Sequence, residues 1–291
     1  MLVNRCCAPK SLPRAQWVAA AAQATAINPL NHAGVENLTK TMPRFAPTAE
    51  HIAVVTKKYW HTNGVRLTVG FLDNPPVDLR AKILAHMNAW AATCNVAFAE
   101  SADAPKVRIA RAQGDGYWSY LGTDILSIAA GQPTMNLDSF SMDTPDSEFF
   151  RVVRHETGHT LGCPHEHMRR ELVNLIDPQK AIDFFGSTQG WTPQETRQQV
   201  LTPLEDGSLT GTAHADASSI MCYQIPGSIT KDGQDILGGT DIDQTDFDFM
   251  AKIYPKPGAD AAPAAPTAAA AMAQLQADNE VLKRAIGVLA R

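Results

Sequence analysis

Cysteine is scarce in this chain, with five in 291 residues, and no two cysteines have the C-x-x-C spacing of a structural zinc site. An odd, small number excludes a disulfide-dense scaffold. No apolar run approaches the roughly 20 residues that a membrane-spanning helix needs. The net charge of −5 gives no basic footprint for nucleic acid or anionic lipid. What remains is one large globular domain with tails, with a hydrophobic content of 44% to build a core.

An eleven-residue stretch that begins at His155 reads HETGHTLGCPH, the pattern H-E-x-x-H-x-x-G-x-x-H. On a helix, His155 and His159 lie on one face and can bind one metal ion together. Gly162 can adopt positive φ, so the helix can end there and the chain can turn back. That turn brings His165 round as a third ligand. Three protein ligands leave a fourth position for water, as in catalytic zinc sites, and Glu156 lies beside that position.

The chemistry expected of this stretch is hydrolysis at a single catalytic zinc ion. Zinc lowers the pKa of bound water to about 7 and polarises a carbonyl. Glu156 would take the proton during attack and pass it to the leaving amine. Downstream, the sequence SSIMCY contains Met221, which matches the methionine turn of the metzincin pattern, and Tyr223, a candidate donor to the oxyanion. The alternatives are histidines that hold no metal and a tyrosine that only packs in the core.

The hydrophobic pattern predicts an α+β fold with two lobes. Alternation predicts a strand over Val65–Phe71, and spacing of three to four predicts a helix from Val77 to Thr93. Further strands are expected at 96–98, 107–109, 117–121 and 125–128. Together they form a mixed twisted sheet with a backing helix and an active-site helix, the latter running from about residue 143 through Leu161. Beyond Gly162, mostly irregular chain and two helices, at 192–201 and 247–254, form a second lobe, with zinc in the cleft between the lobes.

The two ends of the chain are expected to lie outside the catalytic domain of residues 51–256. Residues 1–50 are an N-terminal extension or a pro-segment, within which Pro13–Ala26 is a surface helix or a degenerate export signal. Residues 257–271 form an Ala/Pro-rich linker. Residues 272–291 repeat apolar residues at heptad spacing, which indicates either a short coiled coil that joins copies of the chain or a solitary marginal helix.

The stretch HETGHTLGCPHEHMRR resembles the zinc helix of astacin-type metzincins, in which a glutamate follows the third histidine, as Glu166 does here. The sequence SIMCY resembles that family's methionine turn, and YWSYLG from Tyr117 resembles a further conserved stretch. The resemblance implies a zinc endopeptidase and makes Tyr223 a fifth zinc ligand that moves to stabilise the intermediate. It also implies a protein or peptide substrate bound in extended form along an edge strand between Tyr117 and Ile128. Secretion is implied as well, although no clear signal peptide is evident.

The chain departs from the family pattern at its cysteines. Cys163 stands where astacins usually have an aromatic residue, and Cys222 where they often have histidine. These two form either a disulfide or, by the reading we favour, two small buried thiols. Cys6 or Cys7 is either a zinc ligand of a latent state or an incidental residue of a loose terminus, the reading that the sequence favours.

Two further questions stay open at the level of sequence. Glu166 either contacts a new N-terminus after propeptide cleavage or pairs with nearby arginines. Two alternatives to an endopeptidase are a zinc-binding module that has lost catalysis and a zinc amidase on a non-peptide substrate. The presence of His155, His159, His165 and Glu156 disfavours the first.

Overall fold

The computed structural model describes residues 7, 10–32, 56–165, 170–202, 216–222 and 224–258. Cys6, Glu166, Tyr223, the 272–291 segment and almost all of the linker therefore lie outside the described residues.

A five-stranded mixed sheet forms the first lobe. Its strands are β1 (Val65–Phe71), β2 (Val96–Glu100), β3 (Val107–Ala110), β4 (Tyr117–Ser119) and β5 (Met135–Leu137). The order across the sheet is β2-β1-β3-β5-β4. Strands β1, β2, β3 and β5 pair in parallel, whereas β4 pairs antiparallel to β5. Strand β4 is therefore an edge, with its outer backbone groups available to another chain segment.

The helices include one before the sheet, one that backs it, the motif helix and four in or beside the second lobe. The α-helices are α1 (Trp17–Ile27), α2 (Val77–Met87), α3 (Arg154–Thr160), α4 (Arg170–Val173), α5 (Pro178–Gln189), α6 (Pro193–Thr196) and α7 (Gln244–Ile253). A short helical turn, Asp146–Glu148, and a π-helical turn, Phe149–Val153, lead directly into α3. We call this continuous segment, residues 146–160, the motif helix.

Two hydrophobic cores lie on either side of the motif histidines. The first packs β1 and α2 against the motif helix, with Val69, Ile83, Trp90 and Val153 almost fully buried. This arrangement follows from the alternation in β1 and the three-to-four spacing in α2, since each element has one apolar face to bury.

The second core joins α4 and α5 to the chain after the methionine turn. Phe185 is fully buried there and stacks on Trp191, with ring centroids 5.0 Å apart. Helix α5 begins at the cap Asp177, whose carboxylate accepts from two backbone amides, and ends at Gly190 in the left-handed conformation. The mixed sheet with helices confirms the α+β prediction. The sequence reading did not predict α5.

One predicted strand is wrong. Residues Gly122–Ser127 form a 3₁₀ helix, not the strand expected at 125–128. The apolar run suggested a strand, but tertiary contacts determine its conformation. The Thr123 amide donates to the Lys58 carbonyl, and Asp124 forms an ion pair with the Lys58 ammonium at 3.3 Å. Strand β5, Met135–Leu137, was not predicted. The helix expected to reach Thr93 is α-helical to Met87 and 3₁₀ over Asn88–Ala92.

The N-terminal segment packs on the catalytic domain. Helix α1 confirms the helix predicted over Pro13–Ala26, and one of its faces is buried through Ala20, Ala21 and Ala24. Asn31, fully buried, donates to the Tyr59 carbonyl at 2.7 Å and accepts from the Tyr59 amide at 2.9 Å. Within the described ranges, no helix is long and apolar enough to cross a membrane.

Candidate metal centre

The motif helix ends where the glycine of the motif predicts. Gly162 has a φ of 102°, a conformation that residues with a Cβ rarely adopt. An added Cβ would also lie 2.8 Å from the Tyr59 ring. The Gly162 and Cys163 amides donate back to the last turn of the helix, so its terminal carbonyls are satisfied. The chain then reverses and carries His165 back toward the helix.

The three motif histidines converge through their Nε2 atoms. His165 Nε2 lies 3.1 Å from His155 Nε2 and 2.9 Å from His159 Nε2. All three rings are buried, with exposed fractions of 7% or less. The structure therefore brings together the three residues that the sequence predicts as metal ligands.

The protonation of the rings shows that this donor set fits a metal ion. The Ile220 carbonyl lies 2.6 Å from His155 Nδ1, and the Cys163 carbonyl lies 2.7 Å from His159 Nδ1. A carbonyl only accepts, so both Nδ1 atoms carry the proton and both Nε2 atoms present lone pairs to His165. A single proton on His165 Nε2 could bridge only one of the two contacts. A cation bound by all three nitrogens removes the repulsion, and neutral imidazole is a preferred zinc ligand.

In the absence of a metal ion, burial shifts the pKa values of His159 and Glu156 toward their uncharged forms. It lowers the pKa of His159 to about 4, against a weaker opposing effect of the hydrogen bond to Cys163. It raises the pKa of Glu156 to about 8, against weaker opposing effects of Cys7 and Arg151. Glu156 is fully buried, and its Oε1 has no hydrogen-bond partner among the described residues. A buried carboxylate oxygen in that position is suited to accept from water.

The predicted methionine turn lies directly beneath the motif helix. Met221 is buried, and a Cβ added to Gly158 would lie 2.4 Å from its sulfur. The glycine in the second variable position of the motif therefore leaves the room that the Met221 side chain occupies. Ile220, next in the turn, supplies the carbonyl that orients His155.

A carboxylate that the sequence reading missed holds this turn. Asp246, at the start of α7, accepts from the Ser219 hydroxyl at 2.6 Å and from the Ile220 amide at 2.9 Å. It also forms a capping box with Asp243, the residue before α7. Only the fold shows that its second task is to fix the turn.

Cys7 joins the histidines. Its Sγ lies within 4.8 Å of a ligand nitrogen of each of His155, His159 and His165, and 3.5 Å from Glu156 Oε2. Cys7 is 5% exposed, so it is not part of a solvent-exposed terminus. Cys6, the other candidate, lies outside the described residues, as do Glu166 and Tyr223.

The other cysteines of the site are thiols. Cys163 and Cys222 are both buried and form no disulfide, so the two-thiol reading is confirmed over the disulfide. Cys163 Sγ lies 3.2 Å from the Met250 sulfur in the first core, while Cys222 packs in the second.

Comparison with known proteins agrees with the metal centre that the geometry indicates. The model of the Astacin peptidase family matches residues 54–225, more than half of the chain. The chain belongs to the astacin family. This astacin domain is a zinc metalloendopeptidase domain, and its cofactor is one catalytic zinc ion, which His155, His159 and His165 would hold.

Individual relatives agree with the astacin assignment. A structure of myroilysin is 30% identical with a TM-score of 0.64, covering 68% of this chain and 96% of that one. A second structure of myroilysin, also 30% identical, gives a TM-score of 0.54 and covers 68% of this chain and 86% of that one. The zinc metalloproteinase nas-27 of Caenorhabditis elegans is 34% identical over 112 residues, which are 38% of this chain. The matched part spans 23% of that relative's length.

Proposed function

We propose that this protein is a zinc-dependent endopeptidase in which Glu156 is the general base for attack of water on a peptide bond. The observation that carries the proposal is the juxtaposition of a fully buried carboxylate with three converging imidazole nitrogens. No other buried acid among the described residues lies at the histidine cluster.

Each protein group has a defined task in this reaction. A bound zinc ion supplies Lewis acidity, which acidifies water and polarises the substrate carbonyl. Glu156 accepts the proton from the attacking water and delivers it to the nitrogen of the leaving amine. The Ile220 and Cys163 carbonyls keep His155 and His159 in the tautomer that presents Nε2. Tyr223, outside the described residues, remains our candidate donor to the developing oxyanion.

Strand β4 is the proposed binding edge for an extended peptide. It pairs on one side only, with β5, and Ser119 at its end contacts Thr160 of the motif helix at 3.1 Å between the hydroxyl oxygens. A peptide added to this edge gains backbone hydrogen bonds beside the histidines. The proposed binding edge is therefore the first part of the stretch between Tyr117 and Ile128.

The test replaces Glu156 with glutamine in the full-length protein loaded with zinc. We expect unchanged zinc content and a fall in kcat of about 10²–10⁴-fold, because the amide cannot take up a proton. Cleavage of a quenched fluorescent peptide library is measured before and after limited proteolysis, once the added protease has been inactivated, and zinc is measured by elemental analysis.

Wild-type protein stripped of zinc by a chelator and then reloaded is the control. Cleavage that survives the chelator contradicts the proposal, as does full activity of Glu156→Gln. Zinc binding without cleavage of any peptide would favour the metal-holding module, and cleavage of non-peptide amides alone would favour the amidase.

We further propose that the described protein is a latent form, with Cys7 as a zinc ligand. Cys7 is the fourth member of the cluster, and thiolate is a good zinc ligand. The segment after it also covers the substrate edge. Lys10 forms a parallel bridge with Tyr120 beyond β4, its ammonium lies 3.8 Å from Asp115, and it stacks at 4.9 Å over the Trp118 ring. A pro-segment role for residues 1–50 follows from this proposal.

The remaining proposals concern the C-terminal segments and the secretion of the protein. A linker at 257–271 and a short helix or homo-oligomeric coil at 272–291 rest on the sequence pattern alone.

A further inference from the structure

A cavity of about 460 Å³ opens beside the metal centre, at the N-terminal end of the motif helix. One wall is the motif helix itself, with Glu148, Phe150 and Arg151. The facing wall comes from the chain after the methionine turn, with Gln224 and Asp241. The cavity is large enough for any single amino-acid side chain.

The position of Arg151 relates the cavity to both the metal centre and the substrate edge. Arg151 precedes His155 by four residues, so the two side chains lie on the same face of the helix, one turn apart. The Arg151 guanidinium also lies 5.9 Å from the ring centroid of Tyr117, the first residue of β4. A peptide that follows β4 past the histidines therefore places a residue next to its scissile bond at the mouth of the cavity.

The lining carries two carboxylates and one guanidinium. Arg151 Nε and Nη2 donate to the two oxygens of Glu148 at 3.0 and 2.7 Å, so these charges compensate each other. The Asp241 side chain remains as the second acid and is 44% exposed. Its partner Arg154 is not part of the lining: its side chain is 17% exposed, and its guanidinium stacks at 4.1 Å on the Phe150 ring.

Within the described residues, the hydrogen bonds to Asp241 all reach one of its two carboxylate oxygens. Arg154 Nη1 donates to Oδ1 at 2.5 Å, and the Ile242 amide donates to the same oxygen at 2.7 Å. In the part of the chain that the structure describes, no hydrogen bond reaches Oδ2. A carboxylate at a cavity wall, with its side chain 44% exposed, attracts a cationic group and repels an anionic one.

We propose that this cavity receives one substrate side chain beside the scissile bond, and that Asp241 makes it select lysine or arginine over acidic residues. The proposal rests on the endopeptidase function above. Asp241 is a specificity-determining residue, and it takes no part in proton transfer.

The test uses zinc-loaded full-length protein after limited proteolysis, with the added protease inactivated. A random peptide library, read by mass spectrometry, identifies the selected position. Matched peptides with Lys, Leu or Asp there then give kcat/KM values. We expect Lys to exceed Asp by about tenfold or more, and Asp241→Asn to remove most of that ratio.

Asp73→Asn is the matched control. Asp73 has a similarly exposed side chain, 39%, and forms an ion pair with Arg111 at 2.8 Å. Both residues are distant in sequence from those that line the cavity. It should leave the ratio unchanged. Because Asp241→Asn leaves Arg154 without its partner and could impair folding, a second measurement uses the wild type alone, where high salt should reduce the Lys preference.

Two outcomes overturn the inference while leaving the endopeptidase proposal intact: equal or acid-favouring rates in the wild type, and a Lys preference that persists unchanged in a folded Asp241→Asn variant. Absence of cleavage of every peptide overturns the endopeptidase proposal and the inference together.

Discussion

At the scale of single residues, the metal centre depends on a carboxylate that touches no ligand. Asp246 accepts a hydrogen bond from the Ile220 amide, and the Ile220 carbonyl orients His155. Fixing Ile220 therefore fixes the tautomer and direction of His155, the first of our proposed ligands, and such supporting contacts tune metal sites. The arrangement needs a buried acid. Burial raises the pKa of Asp246 to about 6, although the hydrogen bonds from Ser219, Ile220 and Asp243 oppose the shift.

The raised pKa predicts a pH dependence of stability. The folded carboxyl has a pKa of about 6 and the unfolded one 3.8, so the folded state holds the proton more tightly. The stabilising contribution of Asp246 is complete below the unfolded value and is lost as the pH rises through about 6. We expect the free energy of unfolding of metal-free wild type, minus that of Asp246→Asn, to fall by about 3 kcal/mol between these limits.

Denaturant titrations across that pH range measure the difference. Asp248→Asn, which removes an exposed acid of the same helix that accepts a hydrogen bond from Gln244, is the control. A flat difference for Asp246→Asn would show that its carboxyl titrates normally in the fold.

At the scale of secondary-structure elements, function depends on how closely the motif helix approaches the methionine turn. Gly158 faces the Met221 sulfur, and Trp90 closes the other side at 3.3 Å from the position of an added Cβ. The helix accepts a glycine in its interior, at a cost of about 1 kcal/mol in helix propensity, because a larger residue would separate it from the turn.

Gly158→Ala should therefore destabilise the protein even though alanine favours helices. The strain of overpacking, about 1–3 kcal/mol, exceeds the gain in propensity, and displacement of Met221 should also weaken zinc binding. Thermal unfolding and a competitive zinc titration measure the two effects.

Gly186→Ala is the matched control, because Gly186 lies within α5 and an added Cβ would meet only the Trp191 carbonyl at 3.6 Å. It should be neutral or stabilising by up to about 1 kcal/mol. Equal effects of the two substitutions would mean that the helix and the turn are not in tight contact.

At the scale of the whole molecule, the N-terminal segment contacts three separate parts of the rest of the protein. Cys7 lies at the histidines, Lys10 lies beside the β4 edge, and Asn31 is bonded to the chain that precedes β1. Between them, α1 packs against the 3₁₀ helix at Gly122–Ser127. In the latent form that we propose, a segment bound at all three places closes the cleft without any change in the candidate catalytic residues.

Cys7→Ser should weaken that closure. In the full-length protein we expect peptide cleavage to rise by about tenfold or more, because a larger fraction of molecules has an open cleft. With cobalt in place of zinc, the near-ultraviolet absorption of a thiolate-bound ion should be present in the wild type and absent in Cys7→Ser.

Cys94→Ser, at another buried thiol, is the control and should change neither the cleavage rate nor the cobalt spectrum. If Cys7→Ser changed neither the activity nor the cobalt spectrum, Cys7 would not be a metal ligand of the latent state.

The sequence by itself determined the elements whose signal is local. The spacing of His155, His159 and Gly162 requires a helix of known face and a defined end, so ligands and turn could be read directly. The alternation in β1 and the spacing in α2 are likewise properties of consecutive residues.

Only the tertiary structure decided which distant residues meet these elements. Residues Ile125–Ile128 have the composition of a strand, but Ile125–Ser127 belong to a 3₁₀ helix, because Lys58 bonds to Thr123 and Asp124. The sequence reading did not single out Asp246 and favoured a loose terminus for Cys7, since nothing near these residues in sequence marks their partners. Long-range contacts depend on how separate apolar faces are buried together, and that burial is a property of the packed chain rather than of any short stretch of it.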